Sequence, residues 1–146
     1  MYVAELRKRR YRGKQPPAMT NPKDVAKLLA RTLKDATREH FLVLLLNSRH
    51  TVLAVETVSV GSLNASIVHP REVFRQAILS LASAVILAHN HPSGDPEPSP
   101  DDMEITKRLS QAGELLGIEV LDHVILGGNG QFQSFREKGL LRATEK

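Results

Sequence analysis

The sequence predicts a mixed α/β fold in which a mixed β-sheet is flanked by helices. Short runs at 41–46 and 85–88 are apolar on both faces, as in strands covered from two sides. Helix-period stripes separate the strand-like segments. Turn chemistry at 47–50 and 127–130 folds both ends of this pattern into hairpins, which favours a mixed sheet over an all-parallel, doubly wound one.

Residues 1–20 show no periodicity and contain Pro16-Pro17, so they read as a basic N-terminal arm ahead of a domain spanning 21–146. Asn21 is the expected N-cap of the first helix, with Pro22 at its first position and Val25, Leu28, Leu29, Leu33 and Ala36 as its apolar stripe. The run Phe41 to Leu46 should be a central strand, pairing through the Asn47–His50 turn with a second strand at about 52–60. Pro70 opens a second helix with Val73, Ala77, Ile78 and Leu81 expected inward. A buried strand at 85–88 then runs into His89. After a loop with prolines at 92, 96, 98 and 100 comes a third helix, with Ile105, Leu109, Ala112 and Leu116 as its stripe and Gly117 as a left-handed cap. A strand at 120–126, the glycine turn and a last short strand at 131–135 complete the order α-β-β-α-β-α-β-β.

Composition narrows the chemistry. A chain of 146 residues can bury a core unaided, and the absence of cysteine excludes disulfide frameworks, thiolate nucleophiles and Cys-based zinc sites. Any metal must sit on His, Asp or Glu. No apolar run reaches the ~18 residues that a membrane span needs and the first ten residues are charged, so a cytoplasmic protein with no membrane partner is expected. Residues 1–14 alone carry +5 against +4 for the whole chain. The arm, and no face of the domain, is therefore where nucleic acid would be met.

The segment His89 to Asp102 concentrates the chemistry. Residues two apart on a strand project to one face, so His89 and His91 can direct two imidazoles at one metal while Asn90 faces away. Pro92 stops the strand, and Ser99-Pro100 starts a helix whose first turn carries Asp101 and Asp102, from which a carboxylate can return over the imidazoles. Two histidines and one carboxylate leave a fourth tetrahedral position for water, as catalytic zinc requires. A plainer reading fits the same residues: Ser99 as N-cap, the two aspartates answering the helix dipole, and the histidines tied to backbone in the core.

The full pattern H-x-H-P-x6-S-x2-D, with an acidic residue ahead of the first long strand, resembles the JAMM motif of the JAB/MPN metalloprotease superfamily. The words Gly61-Ser62-Leu63-Asn64-Ala65-Ser66, His69-Pro70-Arg71-Glu72, Leu121-Asp122-His123 and Ser134-Phe135-Arg136-Glu137-Lys138-Gly139 narrow the resemblance to its bacterial RadC-like branch, over roughly residues 21–142. The resemblance implies a JAB/MPN-like fold and one zinc ion on His89, His91 and Asp102. It further implies Ser99 as support for a tetrahedral intermediate, Glu39 as general acid/base, and a protein or peptide substrate cleaved at an amide or isopeptide bond. Glu56 on the next strand competes with Glu39 for the base. Longer members of that branch carry an N-terminal helix-hairpin-helix-type DNA-binding region, for which residues 1–20 are too short. Two other functions are weighed against hydrolysis: a DNA-processing role served by the basic arm, and a non-catalytic MPN-type interaction domain. His123 beside Asp122 reads either as a pair orienting a ligand imidazole or as a core histidine.

Overall fold

The computed structural model describes residues 18–141 apart from 34, 35, 62 and 65; the basic arm lies outside the described residues as far as Pro17. Helix α1 (Pro22–Leu33) is capped as expected, the Asn21 side chain accepting from the Asp24 N–H at 3.1 Å. It is followed by β1 (His40–Leu46), β2 (Val52–Val60), α2 (Pro70–Leu79), β3 (Ala84–Asn90), α3 (Pro100–Leu116), β4 (Glu119–Leu126) and β5 (Phe132–Ser134). The strands form one sheet in the order β2-β1-β3-β4-β5, with β3 at its centre and β1 interior beside it. β1 pairs antiparallel with both β2 and β3, β3 and β4 are parallel across α3, and β4–β5 is an antiparallel hairpin. The mixed sheet with a hairpin at each end is therefore present.

Alternation along the buried strands divides the core in two. Val43, Leu45, Val85, Leu87 and Ile125 face α2 and α3, whose Phe74, Ile105 and Leu109 complete that layer. Leu42, Leu44, Leu46, Ile86, Ala88 and Val124 face α1 through Val25, Leu29 and Leu33. Met19, just ahead of the expected boundary at Asn21, is buried in this second layer and its N–H donates to His50 C=O at 2.8 Å.

Two helix faces differ from expectation. In α2 the inward residues are Val73, Phe74 and Ala77, while Ile78 is exposed and Leu81 lies beyond the helix end at φ 56°, 87% exposed. In α3, Leu116 is exposed, and Thr106 and Gly113 share the buried face with Ile105 and Leu109. Gly117 caps α3 in the left-handed region as expected, with φ 71°.

Candidate metal centre

β3 delivers the imidazoles. His89 continues the Val85–Leu87 face toward α3 and is completely buried, paired across the ladder with Phe41, whose ring stacks on it at 6.0 Å between centroids. Asn90 projects to the opposite face, as alternation requires. His91 follows the last strand residue and is half-buried. The proline loop returns the chain so that Pro100 opens α3 with Asp102 in its first turn, 2% exposed. That loop is held down by backbone: His91 N–H donates to Leu126 C=O, and Gly128 N–H to Gly94 C=O, both at 2.8 Å. A Cβ on Gly127 would lie 2.5 Å from the Gly94 carbonyl oxygen, so glycine is required where the two turns touch.

The three expected ligands meet. His89 Nε2 lies 2.9 Å from His91 Nε2 and 3.0 Å from Asp102 Oδ1, and His91 Nε2 lies 3.1 Å from Asp102 Oδ2. Bonds of ~2.0–2.1 Å to a tetrahedral zinc imply donor separations of about 3.3 Å, a few tenths longer than these. Among the described residues His89, His91 and Asp102 are the grouping of His and acidic side chains able to hold a metal ion.

Donor counting shows why these atoms suit a cation. His91 Nδ1 lies 2.8 Å from the Asp95 carbonyl, which can only accept, so Nδ1 carries the proton and neutral His91 turns the Nε2 lone pair inward. His89 Nδ1 lies 2.8 Å from His123 Nε2 in the core. With Asp102 ionised, the centre is a convergence of lone pairs. In the metal-free protein a proton meets that mismatch: His91 titrates above its ordinary value, chiefly because Asp102 accepts from it. Burial pushes the Asp102 carboxyl up, but the facing His89 and His91 rings and the Ser99 N–H prevail and hold it well below the ordinary carboxylate range.

Ser99 takes the plain role and keeps capacity for the other. Its Oγ accepts from Asp102 N–H at 3.1 Å and its N–H donates to Asp102 Oδ2 at 2.8 Å, a capping box that also fixes the Asp102 carboxylate. The cap uses the hydroxyl as acceptor and leaves its proton for another partner. Glu39 directly precedes β1. Its Oε2 accepts from Leu63 N–H at 2.8 Å, it lines a cavity of about 490 Å³ with Pro92, and its charge contributes to raising the His91 pKa. Glu56 sits within β2 opposite Val43, level with Leu87 and one strand further from the imidazoles.

Two contributors, Asn90 and Thr106, escape a reading of the sequence alone, and His123 takes its expected place beside His89 without its expected partner. Asn90 fastens the backbone on both sides of Glu39, accepting from His40 N–H at 2.7 Å and donating to Arg38 C=O at 3.0 Å. Thr106 Oγ lies 2.5 Å from His123 Nδ1 and donates to Asp102 C=O at 2.7 Å. His123 reaches His89, but Asp122 is not its side-chain partner: the carboxylate projects to the other face of β4, accepting from Ser134 Oγ at 2.6 Å and Arg136 N–H at 3.0 Å. The signal available for Thr106 was its place one helical turn after Asp102. A larger cavity, about 720 Å³, runs from His91 and Pro92 past Asn90 to the 127–131 turn and the Lys23, Lys27 and Arg31 flank of α1.

Comparison with known proteins gives the chain a family and relatives. The family described as "RadC-like JAB domain" matches residues 19–140. A UPF0758 protein of Desulforamulus reducens is 57% identical over 120 residues, covering 82% of this chain and 52% of the relative. One from Caldanaerobacter subterraneus subsp. tengcongensis is 56% identical over 122 residues, 84% of this chain and 52% of its own. One from Shouchella clausii is 52% identical over 123 residues, 84% and 53% respectively. The chain spans about half the length of the curated relatives it matches.

Proposed function

The chain belongs to the RadC-like JAB domain family, and from that premise we propose that it is a zinc-dependent hydrolase of the JAMM type acting on an amide or isopeptide bond in a protein or peptide. The observation that carries this reading is the convergence of His89 Nε2, His91 Nε2 and the Asp102 carboxylate within 2.9–3.1 Å of one another, beside a cavity that reaches His91. These three residues would hold the ion. Zinc bound there supplies Lewis acidity, polarising a carbonyl and bringing the pKa of water toward ~7. Glu39, held at the rim by the Leu63 N–H, takes the proton of the attacking water and hands it to the leaving amine. Ser99 offers its hydroxyl proton to the oxyanion as charge develops, an interaction stronger in the transition state than in the ground state. The 720 Å³ cavity, lined along α1 by Ala26, Ala30 and Leu33 with Lys23, Lys27 and Arg31 and bordered by the glycine turn, has the dimensions of a peptide subsite.

Elemental analysis of protein purified without chelator tests the metal: about one zinc per chain in the wild type and a large loss in His91→Ala. Equal metal in both, or none in either, overturns the reading. Chemistry is tested by adding zinc-loaded protein to a mixed peptide pool and counting new amino termini by mass spectrometry. Glu39→Gln should keep its zinc and lose ~10²–10⁴-fold in rate, the usual contribution of a positioned acid/base group. Glu56→Gln should be nearly silent.

A further inference from the structure

The hydrogen bonds behind the metal centre have only one consistent direction. The Asp102 carbonyl can accept and not donate, so the Thr106 hydroxyl proton, 2.7 Å away, is committed to it. The contact between Thr106 Oγ and His123 Nδ1 must then be made by a proton on Nδ1. Neutral His123 consequently presents a lone pair at Nε2, and the 2.8 Å contact to His89 Nδ1 is made by a proton on His89. This leaves the His89 lone pair on Nε2, the nitrogen that faces His91 and Asp102.

We propose that Thr106 and His123 are positioning residues that fix His89 in the Nδ1–H tautomer and so prepare Nε2 for the metal; the proposal rests on the metal reading above. The arrangement is built for the purpose. His89 and His123 are fully buried and Thr106 is 2% exposed, so no water competes for these groups. Phe135 stacks on His123 with centroids 4.6 Å apart and Phe41 meets its edge at 5.7 Å, which fixes the ring plane. The relay also closes on itself. It leaves one ligand at His89 Nδ1 and returns to another through the Asp102 carbonyl, tying β3, β4 and the first turn of α3 into one circuit. Partners of this kind typically contribute 10–100-fold to metal affinity.

The isosteric change Thr106→Val removes the acceptor for His123 Nδ1–H and leaves that proton unpaired in the core. Its relief is the other His123 tautomer, which places a proton on Nε2 against His89 and forces the His89 proton onto the metal side. Zinc affinity is measured on the whole chain by competition with a chromophoric chelator, with long-range ¹H–¹⁵N imidazole spectra of the metal-free protein read alongside. Wild type should show His123 as Nδ1–H. Thr106→Val should bind one zinc 10–100-fold more weakly and lose that tautomer, while Thr106→Ser, which keeps the hydroxyl, should stay within about threefold. His123→Phe, filling the volume without an acceptor, should fall with Thr106→Val. Unchanged affinity in Thr106→Val, or an Nε2–H tautomer of His123 in the wild type, overturns the proposal, and the wild-type spectrum decides even if Thr106→Val does not fold. A wild type with the Nδ1–H tautomer that takes up no zinc overturns the metal reading and upholds the relay.

Discussion

Two polar clusters lie buried on opposite faces of β4, one residue apart in sequence, and they are built on opposite principles. Asp122 accepts from His123 N–H at 2.7 Å, from Ser134 Oγ and from Arg136 N–H, and Ser134 Oγ accepts from Glu137 N–H. Acceptors there are matched by donors, and the cluster pins the β4–β5 hairpin to the chain beyond it. Across the strand, His89, His91 and Asp102 present acceptor to acceptor. Asp122 and Ser134 are buried much as His89 and Asp102 are, so burial does not distinguish the clusters; the balance of donors does. A buried cluster whose donors balance stabilises a fold, and one whose lone pairs converge is prepared for a cation at some cost in metal-free stability.

The contrast can be broken by exchanging aspartate for asparagine at each centre. Asp102→Asn retains an acceptor for the Ser99 N–H but loses the charge; its zinc affinity should fall more than about 100-fold, beyond what outer partners supply, as read by chelator competition. Asp122→Asn sets an amide N–H₂ against donors and should cost about 1–3 kcal/mol in urea unfolding of the metal-free protein, with zinc binding unaffected. Loss of zinc in the second variant, or its retention in the first, would erase the distinction.

Acidity sharpens the comparison. Zinc bound as proposed would have to displace the proton that His91 holds above its ordinary value, so apparent affinity should decline by up to about tenfold per pH unit below the His91 pKa. The stability term has the opposite sign. A raised histidine pKa contributes stability that is fully present below the unfolded value of 6.5 and lost as pH rises through the folded value. The difference in metal-free stability between wild type and His91→Gln should therefore shrink above pH 6.5, followed by thermal unfolding across that window. Smallest is Asn90→Ala, which frees the backbone on both sides of Glu39. Hydrogen exchange at the His40 amide should quicken while the zinc content of the protein is unchanged.

Much of this was legible in the sequence. Strand boundaries, both hairpins, the Asn21 cap and the left-handed Gly117 followed from local chemistry, and H-x-H followed by a helix-borne Asp located the centre. Helix faces were less legible. In α2 the buried face runs through Val73, Phe74 and Ala77 and leaves Ile78 outside it, while Leu81 lies past the helix end at Leu79, where the helical phase that aimed it inward no longer holds. An apolar stripe could not select Thr106 or Gly113 for burial, because one is buried for its hydrogen bonds and the other because Phe74 and Ile118 leave no room for a Cβ. Asp122-His123 looked like a pair because adjacency in sequence resembles adjacency in space, and a strand separates neighbours onto opposite faces.

The three donor residues occupy only residues 89–102, whereas the support at His89 Nδ1 arrives from thirty-four residues further along the chain. So short a loop closes at small entropic cost, and an unfolded chain keeps the same two imidazoles and carboxylate within reach of an ion. Zinc would then bind both ends of the folding equilibrium, and the rise in melting temperature it confers would be smaller than its affinity for the native protein implies. On the proposed relay, the native advantage in affinity would come from the distant contacts, so Thr106→Val should bring the two affinities together and leave the melting temperature less responsive to metal.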